Sequence, residues 1–182
     1  MERWQEGDMK IGRRDFVYSL AALAFSPPLR ILAALQDKAA EKLLTDNEKA
    51  VLADFCEQIV PADEYPGARE LGVVDFIDRM LKEAHPDWLV LYHSGLKSTD
   101  LCSQDLHAKS FVQMNSEEQV QLLRKMERGE LPALKWFGYQ PGDFFEMVRD
   151  HTMQGYYSHP MYGGNRDKAA WKMIGYEDWW VI

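Results

Sequence analysis

Two cysteines in 182 residues close at most one bridge, so this chain is not a disulfide-stapled scaffold. Cys56 lies next to an apolar helical face and Cys102 reads as part of a polar turn, which leaves open an internal bridge, two unrelated thiols, or a bond to a partner. No Cys-x-x-Cys occurs, which excludes ordinary zinc ribbons and covalently attached haem. Gly163-Gly164 lacks the spacing and the preceding strand that a phosphate cradle needs, so no flavin or nicotinamide site is expected wholly inside the chain. Basic charge is scarce: 21 Lys and Arg face 29 Asp and Glu, a net −8. Of these, 16 bases and 25 acids follow residue 35, a balance of −9 that repels phosphate backbones and argues against nucleic acid as a partner. No 20–50-residue period repeats. What remains is an ordinary globular composition, 46% apolar and 12% aromatic, of a length that supports one compact domain.

The N-terminus reads as an address. Gly12-Arg13-Arg14-Asp15-Phe16 precedes a short apolar stretch, Val17–Phe25, that Pro27-Pro28 and Arg30 interrupt. Paired arginines ahead of a moderately apolar run form the twin-arginine type of bacterial export signal. The run falls far short of the ~20 residues that span a bilayer. Glu2, Glu6 and Asp8 make the residues before the arginines unusually acidic, and a start at Met9 gives a cleaner basic leader. Ala33-Ala34-Leu35 lacks a small residue at its last position, which leaves cleavage of the leader open. Residues 1–35 are therefore assigned to the signal and 36–182 to a single domain. The twin-arginine route carries folded proteins, so the expected location is the periplasm or the periplasmic face of the inner membrane. The cargo includes a cofactor held either by this chain or by a companion.

Hydrophobic periodicity predicts helices throughout the body and no strand, an all-α small irregular bundle. Thr45 and Glu48 form a capping box before Val51, Leu52, Phe55 and Ile59, and Pro61 and Pro66-Gly67 end that helix. A second helix buries Val73, Val74, Ile77, Met80 and Leu81, leaves Asp75, Asp78 and Arg79 outside, and stops at Pro86. A third runs from about Asp87 toward Leu106. A fourth begins at the Asn115/Glu118 capping box and breaks at Gly129. A fifth opens at Asp143, passes through Phe144, Phe145, Val148 and His151, and ends near Gly155. A sixth spans Asp167 to Ile174.

The distinctive stretch is 151–176. Gly155, Pro160, Gly163 and Gly164 argue against regular structure there, and Tyr156, Tyr157 and Tyr162 fall in the resulting loop, ahead of Trp171 and Tyr176. Aromatics on an irregular loop between helices serve as packing anchors or as partner contacts, where Tyr, Trp and Arg are enriched. His151 is expected at a helix end, where an imidazolium complements the dipole. The competing reading gathers Asp150, His151 and His159 into a metal or general acid–base site of a self-sufficient small enzyme, although their spacing matches no established motif.

These segments resemble the gluconate 2-dehydrogenase subunit 3 family. The resemblance rests on the Arg13-Arg14-Asp15-Phe16 leader, Ile59-Val60-Pro61, Pro66-Gly67-Ala68 and Gly72-Val73-Val74-Asp75-Phe76-Ile77-Asp78. Its most specific part is His151-Thr152…Gly155-Tyr156-Tyr157-Ser158…Pro160…Tyr162-Gly163-Gly164-Asn165-Arg166 and Trp171-Lys172…Ile174-Gly175-Tyr176. The resemblance implies a non-catalytic small subunit. Its partner would be an FAD-binding large subunit of the glucose-methanol-choline oxidoreductase type that oxidises a sugar or polyol and lacks its own export signal. The small subunit would stabilise that partner and take it through the twin-arginine translocase, and a cytochrome c subunit often receives the electrons. On this view His151, Tyr156, Tyr157, Pro160, Tyr162, Gly163, Gly164, Asn165, Arg166, Trp171 and Tyr176 contact the partner, and Arg13, Arg14 and Phe16 carry the signal. His159, Gln154 and Tyr176-Glu177-Asp178 depart from the usual family pattern, which bears on the partner's subtype and substrate.

Overall fold

Thr45 does what its position in the sequence predicts. Its hydroxyl accepts a hydrogen bond from the Glu48 amide at 3.2 Å, and the Glu48 carboxylate accepts one from the Thr45 amide at 2.8 Å. The capping box thus formed opens helix α1, Asp46–Ile59. The computed structural model describes residues 43–132, 135, 136 and 138–176; the Arg13-Arg14-Asp15-Phe16 leader and residues 177–182 lie outside them. The described residues are helical without a strand. The helices α2 (Val73–Glu83), α3 (Leu89–His107), α4 (Ser116–Glu127), α5 (Pro141–Tyr157) and α6 (Ala169–Met173) follow α1. Short 3-10 turns occur at Pro86–Trp88, Phe111–Gln113, Pro160–Tyr162 and Arg166–Lys168. No described helix is long and apolar enough to cross a membrane.

Each helix buries the stripe that its sequence period dictates. Val51, Leu52, Phe55 and Cys56 face inward from α1, and Val73, Ile77 and Leu81 from α2. Leu122, Leu123 and Met126 do so from α4. Helix α5 is the spine. Phe144, Phe145, Val148, His151, Thr152, Gly155 and Tyr156 form one buried stripe along its whole length, against α1, α2, α3 and α4. At its start Phe144 meets Phe55 edge-on, with ring centroids 6.2 Å apart. The same ring lies against Gly95 of α3, where an added Cβ would sit 2.2 Å from it. A glycine in the middle of a helix normally weakens it by ~1 kcal/mol, and here it admits an aromatic ring that buries far more apolar surface.

Several expectations are corrected. Cys102 lies inside α3, on the buried row with Tyr92, Leu96 and Thr99, and not in a polar turn. Both cysteines are free thiols. Burial pushes the Cys56 thiol up to about 12, against a weaker opposing effect from the Thr152 hydroxyl 3.2 Å away. Asp78 is not an outside residue, since it sits half-buried with one carboxylate oxygen 3.0 Å from Lys49 of α1. Val74 and Met80, also expected in the core, are only partly buried and pack beside the core row of α2. The sixth helix begins later than Asp167, because Asp167 and Lys168 hold left-handed φ angles of 57° and 56° that a helix cannot continue through.

The cap of α1 contributes ~1 kcal/mol, whereas each large side chain on its buried stripe contributes ~1.5–3 kcal/mol. Packing therefore outweighs capping. We predict that Thr45→Ala lowers stability by ~1 kcal/mol in urea denaturation with an unchanged m-value, and that the protein still folds.

Candidate interaction surface

At the C-terminal end of α5 and its Ser158 cap, where carbonyls lack helical amide partners, three are engaged by side chains that follow the helix. The Ser158 hydroxyl donates to Gly155 O at 3.1 Å, the Trp171 indole donates to Tyr157 O at 2.8 Å, and the Asn165 amide donates to Ser158 O at 2.9 Å. Asn165 also accepts from the Ala170 amide at 3.0 Å, so one fully buried side chain ties the loop to α6. The Arg166 amide donates to Leu71 O at 3.3 Å, and its guanidinium pairs with Asp75 at the start of α2. Tyr156, buried, donates its hydroxyl to Pro66 O at 2.8 Å and thereby holds the α1–α2 connection. Burial, then Tyr157, Asp63 and Glu57, raise the pKa of that phenol and keep it a donor.

Glycine makes the close approach feasible. A Cβ on Gly164 would stand 2.1 Å from Gly155 O, and a Cβ on Gly155 would stand 2.9 Å from the Phe76 ring. Gly163 adopts φ 105° while it passes the backbone of Asp75 and Phe76. These glycines pack the segment against α2 and α5 instead of loosening it. Gly155 itself lies inside α5, and Tyr156 and Tyr157 close that helix, so regular structure runs further than the sequence suggests. Pro160 starts a single 3-10 turn over which His159 Nδ1 accepts from the Met161 amide at 3.2 Å.

The residues singled out in the sequence therefore divide into two groups. His151, Tyr156, Gly164 and Asn165 are buried, so their contacts are made within the chain. Tyr157, Tyr162, Arg166 and Tyr176 are exposed, while Pro160, Gly163 and Trp171 are half-buried. Tyr157, Trp171, Ile174 and Tyr176 line a shallow apolar cleft of about 310 Å3. Trp171 is the centre of this group, with Tyr176 5.0 Å and His159 5.5 Å from it edge-on and the Lys168 ammonium 5.7 Å from its ring centroid. Ile174, in the cleft, is more than half exposed at 56%, and so is Met161 on the neighbouring 3-10 turn at 60%. Such an aromatic face on a fixed backbone suits protein contact, because little side-chain freedom is left to lose on docking.

His151 is not at a helix end. Helix α5 continues six residues past it, and its ring lies inside a column of aromatic groups. Tyr92 Oη and His151 Nδ1 share a hydrogen bond of 2.8 Å, Trp88 stacks on the imidazole at 5.0 Å, and His85 stacks on Trp88 at 3.9 Å. Burial lowers the His151 pKa below its ordinary 6.5, the adjacent Asp150 acts in the opposite direction, and His85 adds a smaller lowering. The dipole-complementing imidazolium expected from the sequence is thus replaced by a neutral core residue. Nor do Asp150, His151 and His159 converge: Asp150 is exposed and bonded to Arg149, and the other two are engaged as described. Among the described residues no group of three or more His, Cys, Asp or Glu side chains is placed to hold a metal ion.

The partners of the buried polar groups could not be read from the sequence, because Tyr92 and His151 are 59 residues apart. The outer row of α2, Phe76 and Met80, was also missed as a surface, although its i, i+4 spacing was visible.

A family model described as gluconate 2-dehydrogenase subunit 3 matches residues 46–178, nearly three quarters of the chain. No curated relative and no solved structure matches significantly.

Two outcomes follow from the geometry. Gly164→Ala, with backbone in the way of its methyl, is expected to destabilise by ~1–3 kcal/mol, read as a lower Tm in calorimetry. His151 binds a proton less readily folded than unfolded, so its contribution is intact above pH ~6.5 and is lost as pH falls below that value. Urea stability measured from pH 7.5 to 5 should therefore fall more steeply for the native protein than for His151→Phe.

Proposed function

Because the chain belongs to the gluconate 2-dehydrogenase subunit 3 family, we propose that it is the non-catalytic small subunit of an FAD-dependent sugar or polyol dehydrogenase. The single observation that carries this reading is the family match over residues 46–178. It is supported by an aromatic–glycine segment whose backbone is locked and whose Tyr157, Tyr162, Trp171 and Tyr176 side chains remain at the surface. In this reading the flavin, FAD, belongs to the large subunit, which is of the glucose-methanol-choline type and performs the oxidation. This chain stabilises the large subunit during maturation, and Arg13, Arg14 and Phe16 direct the folded pair to the twin-arginine translocase and on to the periplasm. A cytochrome c subunit receives the electrons.

The physical logic is that of folded cargo. A non-covalent flavin leaves a chain that is threaded unfolded through a pore, whereas a folded pair keeps it. One leader on the smaller member then serves both. The apolar face of the small subunit shields matching surface on the larger one, and free large subunit exposes that surface to aggregation.

The test is co-production of the large subunit with the native chain, with an Arg13→Lys/Arg14→Lys variant, and alone. The expected result is soluble, flavin-loaded and exported enzyme with the native chain. The double variant should give active enzyme that stays in the cytoplasm, and the lone large subunit should be poorly soluble. Equal yield, export and activity in all three cultures would overturn the proposal.

A further inference from the structure

Helix α2 carries two adjacent apolar rows at i, i+4 spacing. Val73, Ile77 and Leu81 point into the core. Phe76 and Met80, continued by Ala84 at the helix end, form the next row and only partly enter it. The near end of this second row is covered, since Phe76 lies against Gly155 of α5. Its remainder is one wall of a groove of about 300 Å3 lined by Phe76, Arg79, Met80, Glu83, Ala84 and Tyr162.

We propose that this groove receives an apolar side chain, aromatic or long aliphatic, from the dehydrogenase large subunit; the inference rests on the proposed function and places part of its interface on α2. The first argument is chemical. Arg79 donates to Glu83 Oε2 at 3.0 Å and to the carbonyl of Met161, so the charges on the rim already satisfy one another. The walls between them are hydrocarbon, sulfur and aromatic ring. A sugar needs several hydrogen-bonding groups converging on it, and a charged ligand needs an unpaired countercharge; the groove supplies neither. An apolar side chain needs only surface to cover, and Met and aromatic walls are adaptable and strongly contributing contacts.

The second argument is preorganisation. Tyr162 stands on a 3-10 turn closed by the Tyr162 amide to His159 O at 2.9 Å and the Gly163 amide to Pro160 O at 3.0 Å, and Arg79 fixes that turn to α2. The backbone that carries both walls is thus fixed without a ligand, so docking need order only side chains. Continuity supplies the third argument, because Tyr162 belongs to the loop that also carries the cleft-forming Trp171 segment. A second copy of this chain is a poor occupant, since each copy bears a net −8 and apposition adds repulsion, whereas membership of a subunit family supplies a different polypeptide.

The experiment uses the full chain and the large subunit, with dissociation constants measured at constant ionic strength and Tm recorded for every variant. Ala84→Trp is designed to fill the groove from an exposed position just beyond the last turn of α2. Tyr162→Ser removes the opposite wall. Both are expected to weaken binding at least tenfold with Tm held within a few degrees, while the distant exposed Leu106→Ser binds as the native chain does. Native-like affinity of Ala84→Trp with an intact native pair would overturn this inference and leave the proposed function standing. A native chain that pairs with no large subunit would overturn both. A purified chain that dimerises, and becomes monomeric on Ala84→Trp, would overturn the choice of occupant.

Discussion

The contact between Gly164 and the carbonyl of Gly155 is the constraint on which the C-terminal half depends. It brings the backbone of the loop so close to α5 that no side chain fits between them. Once that contact is made, Asn165 reaches both Ser158 O and the Ala170 amide, Trp171 reaches Tyr157 O, and Arg166 reaches Leu71 O. The cost is visible in the backbone, where Asn165, Asp167 and Lys168 all hold left-handed conformations at ~1 kcal/mol or more each. Hydrogen bonds worth ~0.5–1.5 kcal/mol apiece, together with the buried Tyr156 and Ala170, offset it. The result is a rigid platform for residues that remain outside.

Helix α5 links that platform to the core. Its inner stripe begins with Phe144 among Phe55, Tyr92 and Trp136, continues through His151 against Trp88 and Tyr92, and ends with Gly155 and Tyr156. The imidazole in the middle is held neutral by burial and engaged by Tyr92, which is itself kept protonated by burial. Its place is structural: it satisfies a phenol inside an apolar bundle, where an unpaired hydroxyl is costly. The histidine that the sequence offers as a chemical centre thus belongs to the scaffold, and the outward side of the same helix contributes Tyr157 to the exposed face.

Local signals in the sequence account for most of the helices. Capping boxes at Thr45 and Asn115 announce the starts of α1 and α4, and 3.6-residue periodicity announces the buried stripes. What was not legible needed either long-range partners or a volume argument. Cys102 read as polar because Ser98, Thr99 and Ser103 surround it, yet each of those hydroxyls bonds to a backbone carbonyl and can be buried. Gly155 reads as helix-ending and Gly95 carries no local signal, since nothing in the neighbouring sequence says that Phe76 and Phe144 will lie on them. Among the residues expected from the sequence to contact a partner, Tyr157, Tyr162, Trp171 and Tyr176 keep surface while His151, Tyr156, Gly164 and Asn165 turn inward, a division that depends on which side of α5 the loop returns to.

The chain belongs to a family of dehydrogenase subunits, and the proposed function makes it a fitting for a larger, flavin-bearing protein. Native mass spectrometry of the assembly isolated through this chain from its own cells tests that most directly. The account predicts a complex containing a heavier polypeptide that retains FAD when gas-phase activation ejects this chain as bare polypeptide. A chain isolated with no companion, or one that itself departs with the flavin, would contradict it.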